Sequence, residues 1–220
     1  MQIKMNKFVS VWLSLILLGT IGCQSAYYSA MEKVGIHKRD ILIDRVEEAT
    51  TSQENAKEEF KSALEQLSTL ISFQGGELQA QYEASNAQYL ASVEAAEQVS
   101  KHVDNVDEVA EALFVEWEEE IGQYTNKSLQ RQSRTTLRQT QQMFNSLMRS
   151  MRRSEQQMTP ILATLKDHTL FLKHNLNANA IGALKGEYQV IKKDVEQLIS
   201  EMNQSIKESQ AFIATLKTSS

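Results

Sequence analysis

The sequence predicts an all-α protein, an elongated antiparallel coiled-coil-like bundle of about four long helices. Three observations carry that expectation. Among 220 residues there are 8 Gly and a single Pro, so helix breakers are scarce. No stretch alternates apolar and polar residues between turn signals as a strand does. Apolar residues instead recur at steps of four and three, a stripe that a long helix buries only against other long helices. A content of 41% hydrophobic but only 7% aromatic residues suits a thin seam core better than a thick globular one.

The first residues read as an address. Lys4 and Lys7 precede an apolar run from Phe8 to Leu18, and Gly19-Thr20-Ile21-Gly22-Cys23 follows. The run falls short of the roughly 20 residues a transmembrane helix needs and resembles a bacterial lipoprotein signal peptide over 1–22. In that reading Cys23 takes the lipid, a diacylglycerol thioether with an added fatty acyl chain such as palmitate. Thr20 departs from the leucine usual three residues before the cysteine. Cys23 is the only cysteine, so the chain has no internal disulfide. Cleavage would remove Lys4 and Lys7 and leave 21 basic residues against 28 acidic ones, a formal −7. Gln24 stands where an aspartate commonly retains lipoproteins at the inner membrane, so the expected location is an outer-membrane anchor facing the periplasm of a Gram-negative envelope.

Residues 23–39 form the lipid-anchored juxtamembrane segment in this reading, and 40–220 the helical bundle. Tyr27, Tyr28, Lys33, His37, Lys38 and Arg39 mix aromatic and basic side chains, which suit a lipid headgroup surface as well as a plain solvated helix start.

The first seam runs Leu42, Val46, Ala49, Gln53, Ala56, Phe60, Ala63, Leu67, Leu70, ending near Phe73, with Gly75-Gly76 as the stop. A connection this short makes the second helix return antiparallel to the first. Its seam is Leu78, Tyr82, Ser85, Tyr89, Ser92, Ala96, Val99, Val103, Val106, Ala110, Leu113, Trp117, Glu120, Tyr124, passing Asp104-Asn105 in phase. At 1.5 Å per residue this helix is roughly 70 Å long. The pattern fades between Gly122 and Ser128, where a turn is expected near Thr125. The third helix starts softly over Leu129 to Thr140, then runs Phe144, Met148, Met151, Glu155, Met158, Leu162, Leu165, Thr169, Leu172, Leu176. Pro160 keeps the phase and predicts a kink rather than a break. Asn175, Asn177, Asn179 and Gly182 punctuate its end, before a last seam from Ile181 through Leu184, Tyr188, Ile191, Val195, Leu198, Met202, Ser205, Ser209 and Phe212 to Leu216.

Charge supports the turn near Thr125. Positions 104–120 carry eight acids and no base, whereas 127–153 carry seven bases and no acid. Folding there lays the blocks side by side and offsets their unfavourable order along each helix dipole. Glu116, Glu118 and Glu120 are then expected to face Lys127, Arg131 and Arg134.

Chemistry-bearing patterns are sparse. The histidines His37, His102, His168 and His174 lack the Glu-x-x-His pairing of di-iron bundles and the His-x-x-x-His of a helical metal site, and read as solvated or internally satisfied. There is no glycine-rich phosphate loop and no Gly-x-Ser-x-Gly elbow, so neither a cofactor nor a catalytic residue is expected and the protein is not expected to be an enzyme. The formal charge of −5 gives no basic footprint, and no nucleic acid partner is expected.

Cys23-Gln24-Ser25, the run from Tyr28 to Leu42 and the run from Glu111 to Glu118 resemble the uncharacterised bacterial lipoproteins of domain of unknown function 2959. The resemblance spans nearly the whole mature chain and implies a lipid address and a helical fold, without an activity or catalytic residues. Its two least coiled-coil-like segments, Gly35 to Asp40 and Leu113 to Glu118, make Tyr28, His37, Lys38, Arg39, Phe114 and Trp117 the candidate partner or membrane contacts. Trp117 itself reads first as a core seam residue, since a large aromatic at a heptad position buries well beside Leu113 and Ala110. The expected function is that of an adaptor, spacer or envelope-assembly accessory, tethered to the membrane by its N-terminal lipid and touching an envelope protein. The alternative is a periplasmic chaperone-like binder of unfolded or lipidic clients, suggested by the polar residues that dilute the seams.

Overall fold

The computed structural model describes residues 31, 35, 37–73, 75, 78–175 and 177–218. Cys23 and Tyr28 lie outside these residues. The chain divides into two units, Met1–Ile41 and Leu42–Ser220. In the first, Gly35 has a φ of +84°, and the carbonyl of His37 accepts from the amides of Asp40 and Ile41 at 2.9 and 3.2 Å, opening a helix.

Four long helices follow in order: α1 (Lys38–Ile71), α2 (Leu78–Gln123), α3 (Lys127–His174) and α4 (Ala178–Thr218). In the second unit they form an antiparallel four-helix bundle. Gln88 of α2 donates to the Glu59 carboxylate of α1 at 2.8 Å, and Gln66 of α1 to Gln81 at 3.3 Å. Arg152 of α3 binds Asp104 of α2 at 2.7 Å, and His168 of α3 meets Glu187 of α4 at 3.2 Å. Lys57 and Lys217 join α1 to α4 through Asn203 and Glu47. In each pair residue numbers rise along one helix as they fall along the other. The backbones of α2 and α3, and of α3 and α4, run close together, whereas α1 stands further from its neighbours.

All nine residues of the first seam are buried, from Leu42 to Leu70, including Gln53. The second is buried from Ser92 to Leu113, but Leu78, Tyr82, Ser85 and Tyr89 are half-buried. The strict spacing fails at the far end of α2. Glu120 and Tyr124 are exposed, and Ile121 is fully buried in their place. Burying a carboxylate without a partner costs several kcal/mol. The helix therefore turns inward the isoleucine about 100° round from it.

On α3 the buried stripe is wider than a two-position seam. Leu147, Ser154, Ile161 and His168 join Phe144, Met148, Met151, Met158, Leu165, Thr169 and Leu172, while Glu155 and Leu162 stay half-buried. That breadth belongs to a helix flanked on both sides, as α3 is by α2 and α4. The four-helix interior takes up Met148, Met151 and Met158; Met143 is half-buried. On α4, Ala180 is buried and Ile181 only half so, and the seam from Leu184 to Leu216 is buried except at Tyr188.

The connections follow from their caps. Gly75 has a φ of +150°, a conformation side-chain-bearing residues rarely adopt. Asn126 caps α3, its side chain accepting from the amides of Ser128 and Leu129, so the turn falls where expected, between Gln123 and Lys127. Asn175 closes α3 through its amide to the Leu172 carbonyl, and the Asn177 side chain accepts from Asn179 and Ala180 to start α4. Asn179 and Gly182, expected as punctuation, lie inside α4. Pro160 sits on an exposed face of α3, which runs on through it as one helix.

Buried serines and threonines settle their hydroxyls locally. Ser92, Ser154, Ser209, Thr140 and Thr169 each donate to a carbonyl one turn back in their own helix. Gln53 cannot do so, and its amide nitrogen crosses the core to donate to the Ser154 hydroxyl at 3.0 Å. Its carbonyl oxygen, and the hydroxyl of Ser205, are buried without a partner.

Candidate functional site

A groove of about 820 Å³ runs between α1 and α2. It exists because α1 stands off from α2 while the facing side chains at its base are small: Ser52, Ala91 and Ala95. Asp44, Glu47, Glu48, Glu59 and Glu94 line it, with His102 the one basic group among the lining residues. Several carboxylates have partners. Glu48 accepts from Arg45 at 2.7 Å and lies 3.6 Å from the His102 Nδ1; Glu47 receives Lys217. The result is an acidic trough with a shallow, weakly apolar base.

A second, outer groove of about 600 Å³ runs between α2 and α3, lined by Asp107, Glu111, Phe114, Val115, Glu118, Gln141, Phe144 and Asn145. Opposite charges bridge it on either side. Arg134 donates to Glu118 at 2.9 Å, and Arg152 binds Asp104 while lying 3.8 Å from Asp107 and 3.0 Å from Glu155. Burial opposes the charge on Arg152, but its hydrogen bonds to Asp104 and Glu155 outweigh that and hold the guanidinium protonated more firmly than in an ordinary arginine. The acid and base blocks thus face each other, and of the expected acids Glu118 reaches Arg134 of α3. Helical geometry puts Glu116 and Glu120 on the other flank of α2.

The candidate contacts read from the sequence are dispersed. His37 is exposed, Lys38 and Arg39 are half-buried, and Arg39 lies 3.7 Å from Asp40. Phe114 is half-buried and edge-on to Phe144, with ring centroids 5.4 Å apart; Phe144 in turn meets Phe212 of α4 at 5.8 Å. Phe114 therefore widens the core at the base of the outer groove. Trp117 is half-buried, its indole N–H donating to the Ser133 hydroxyl at 2.9 Å, which ties α2 to α3 beside their turn. Cys23 and Tyr28 fall outside the described residues. The acidic trough was missed by sequence reasoning, since carboxylates and small residues on an outer helix face read there as solvated surface.

Among the described residues no group of three or more His, Cys, Asp or Glu is placed to hold a metal ion, and no helix is long and apolar enough to cross a membrane. No curated protein matches the chain. The model of one family, described as protein of unknown function (DUF2959), matches residues 27–216, so the chain belongs to that family.

Proposed function

We propose that this protein is a lipid-tethered adaptor or spacer of the Gram-negative envelope, anchored through Cys23 in the outer membrane and acting by protein contact rather than catalysis. The observation that carries the reading is the trough between α1 and α2. It is a long open channel with a small-residue base and an acidic rim, a shape suited to the side of another helix. The anchor rests on the apolar run and Gly22-Cys23. Cells fed a labelled fatty acid test it. Label should enter the wild-type chain and leave it in the membrane fraction, while Cys23→Ser should lose both. Unlabelled wild type, or a Cys23→Ser chain that stays membrane-bound, refutes the tether.

A chaperone-like binder is the second reading. The buried polar groups Gln53 and Ser205, each with an unpartnered oxygen, favour it because they weaken the interior that such a protein would open. Strong binding of a hydrophobic dye by the folded chain supports that reading. Weak dye binding with one sharp thermal transition supports the adaptor.

A further inference from the structure

At the end of the bundle where α1 meets α2, a cavity of about 20 Å³ lies among α1, α2 and α3. Its lining is mostly apolar, with Leu67, Leu70, Leu165 and Leu172 among the walls. Two polar atoms there lack partners: the Ser85 hydroxyl and His168 Nδ1. The other polar lining groups are largely engaged. Gln66 donates to Gln81, Gln88 donates to Glu59, and Thr169 donates to the Leu165 carbonyl.

The His168 side chain is only 8% exposed. Its Nε2 lies 3.2 Å from the Glu187 carboxylate, which accepts hydrogen bonds and does not donate them when ionised, so Nε2 carries the proton. Neutral His168 then turns an acceptor lone pair on Nδ1 toward the cavity and needs a donor there. Ser85 does not follow Ser92 and Ser209 in bonding the preceding turn of its own helix. Its oxygen makes no hydrogen bond to Nδ1. A cavity needs roughly 10–15 Å³ to hold one water, and that water needs two or more polar partners.

We propose that this cavity is a hydration site, in which one internal water donates to His168 Nδ1 and bonds Ser85 Oγ, extending a relay from α2 through His168 to Glu187 on α4. The charged or titratable groups around the ring are Glu187 from α4 and Tyr89 from α2; α1 contributes none to the lining, and α3 adds Leu165, Thr169 and Leu172.

The test uses the whole chain. A crystal structure fine enough to place waters should show one within hydrogen-bond distance of both atoms. Long-range nitrogen–proton NMR of the imidazole should report the Nε2–H tautomer, with Nδ1 as acceptor, and magnetic relaxation dispersion should count one fewer long-lived water in Ser85→Val than in wild type. Ser85→Ala, a smaller change, should still fold and shorten the residence time of that water. An empty cavity, a protonated Nδ1 in the neutral ring, or an unchanged count of long-lived waters in a folded Ser85→Val chain overturns the proposal.

Discussion

Gln53 and Ser154 give the sharpest energetic prediction, because two substitutions at one contact should move stability in opposite directions. Both residues are fully buried, the Gln53 amide donates to Ser154 at 3.0 Å, and its carbonyl oxygen has no partner. Gln53→Leu gives up one neutral hydrogen bond, worth about 0.5–1.5 kcal/mol, and removes an unsatisfied buried acceptor, which costs about 1–3 kcal/mol. Ser154 keeps its own donor satisfied through the Met151 carbonyl at 2.8 Å. The leucine fills much of the same volume, so the net is a stabilisation of about 1 kcal/mol, or about 2–4 °C in thermal midpoint for a bundle of this size. Ser154→Ala takes the acceptor instead and leaves the whole Gln53 amide unsatisfied, at a cost of about 1–3 kcal/mol. Urea unfolding followed by circular dichroism measures both. A Gln53→Leu chain less stable than wild type would refute the reasoning, since it would mean that the carbonyl is satisfied in solution. The amide's benefit is expected in specificity: Gln53→Leu should exchange backbone protons faster over α1 if the polar pair sets its register, as buried polar residues do in coiled coils.

Other perturbations follow the same logic. Asn126→Ala removes the cap of α3 and should cost about 0.5–2 kcal/mol, read from chemical unfolding, with Asn126→Asp nearly neutral. Phe144→Ala should cost about 3–5 kcal/mol, and a double-mutant cycle with Phe114→Leu should show about 0.5–1.5 kcal/mol of coupling from their edge-to-face contact. Arg152→Met should destabilise by about 1 kcal/mol at low salt and less at high salt, since its side chain is one-third exposed. The sign of the Arg152 contribution with pH is fixed by its raised pKa: it is fully present below the unfolded value and lost only as pH rises through the folded one, so acid-to-neutral titration of stability should not report this arginine's own proton.

Much of the bundle was legible in the sequence because period and burial obey the same geometry. The first seam holds at every position, even through Gln53, since a helix in phase carries a lone amide inward along with its apolar neighbours. The turn near Thr125 was legible twice over, from the fading of the seam between Gly122 and Ser128 and from the switch in charge sign. Legibility failed where chemistry overrode period. Glu120 occupied a seam position that a carboxylate does not hold without a partner, and Ile121 replaced it. It failed again where a property belongs to two helices at once. The trough depends on how far α1 stands from α2, and the environment of His168 depends on Glu187 and Ser85 from two other helices. No spacing within one helix encodes either. The candidate contacts taken from aromatic outliers proved to be partly structural: Trp117 is hydrogen-bonded to Ser133 and Phe114 meets Phe144 edge to face.

Photo-crosslinking in living cells tests the central claim most directly. A photoreactive residue placed at Ala91 or Ala95, in the trough, is compared with one at Val190, an exposed position on α4. A tethered adaptor should give one discrete protein adduct from the trough positions, none from Val190, and lose that adduct in the Cys23→Ser chain. Adducts of equal yield from all three positions, or a trough adduct that persists undiminished without Cys23, would contradict it.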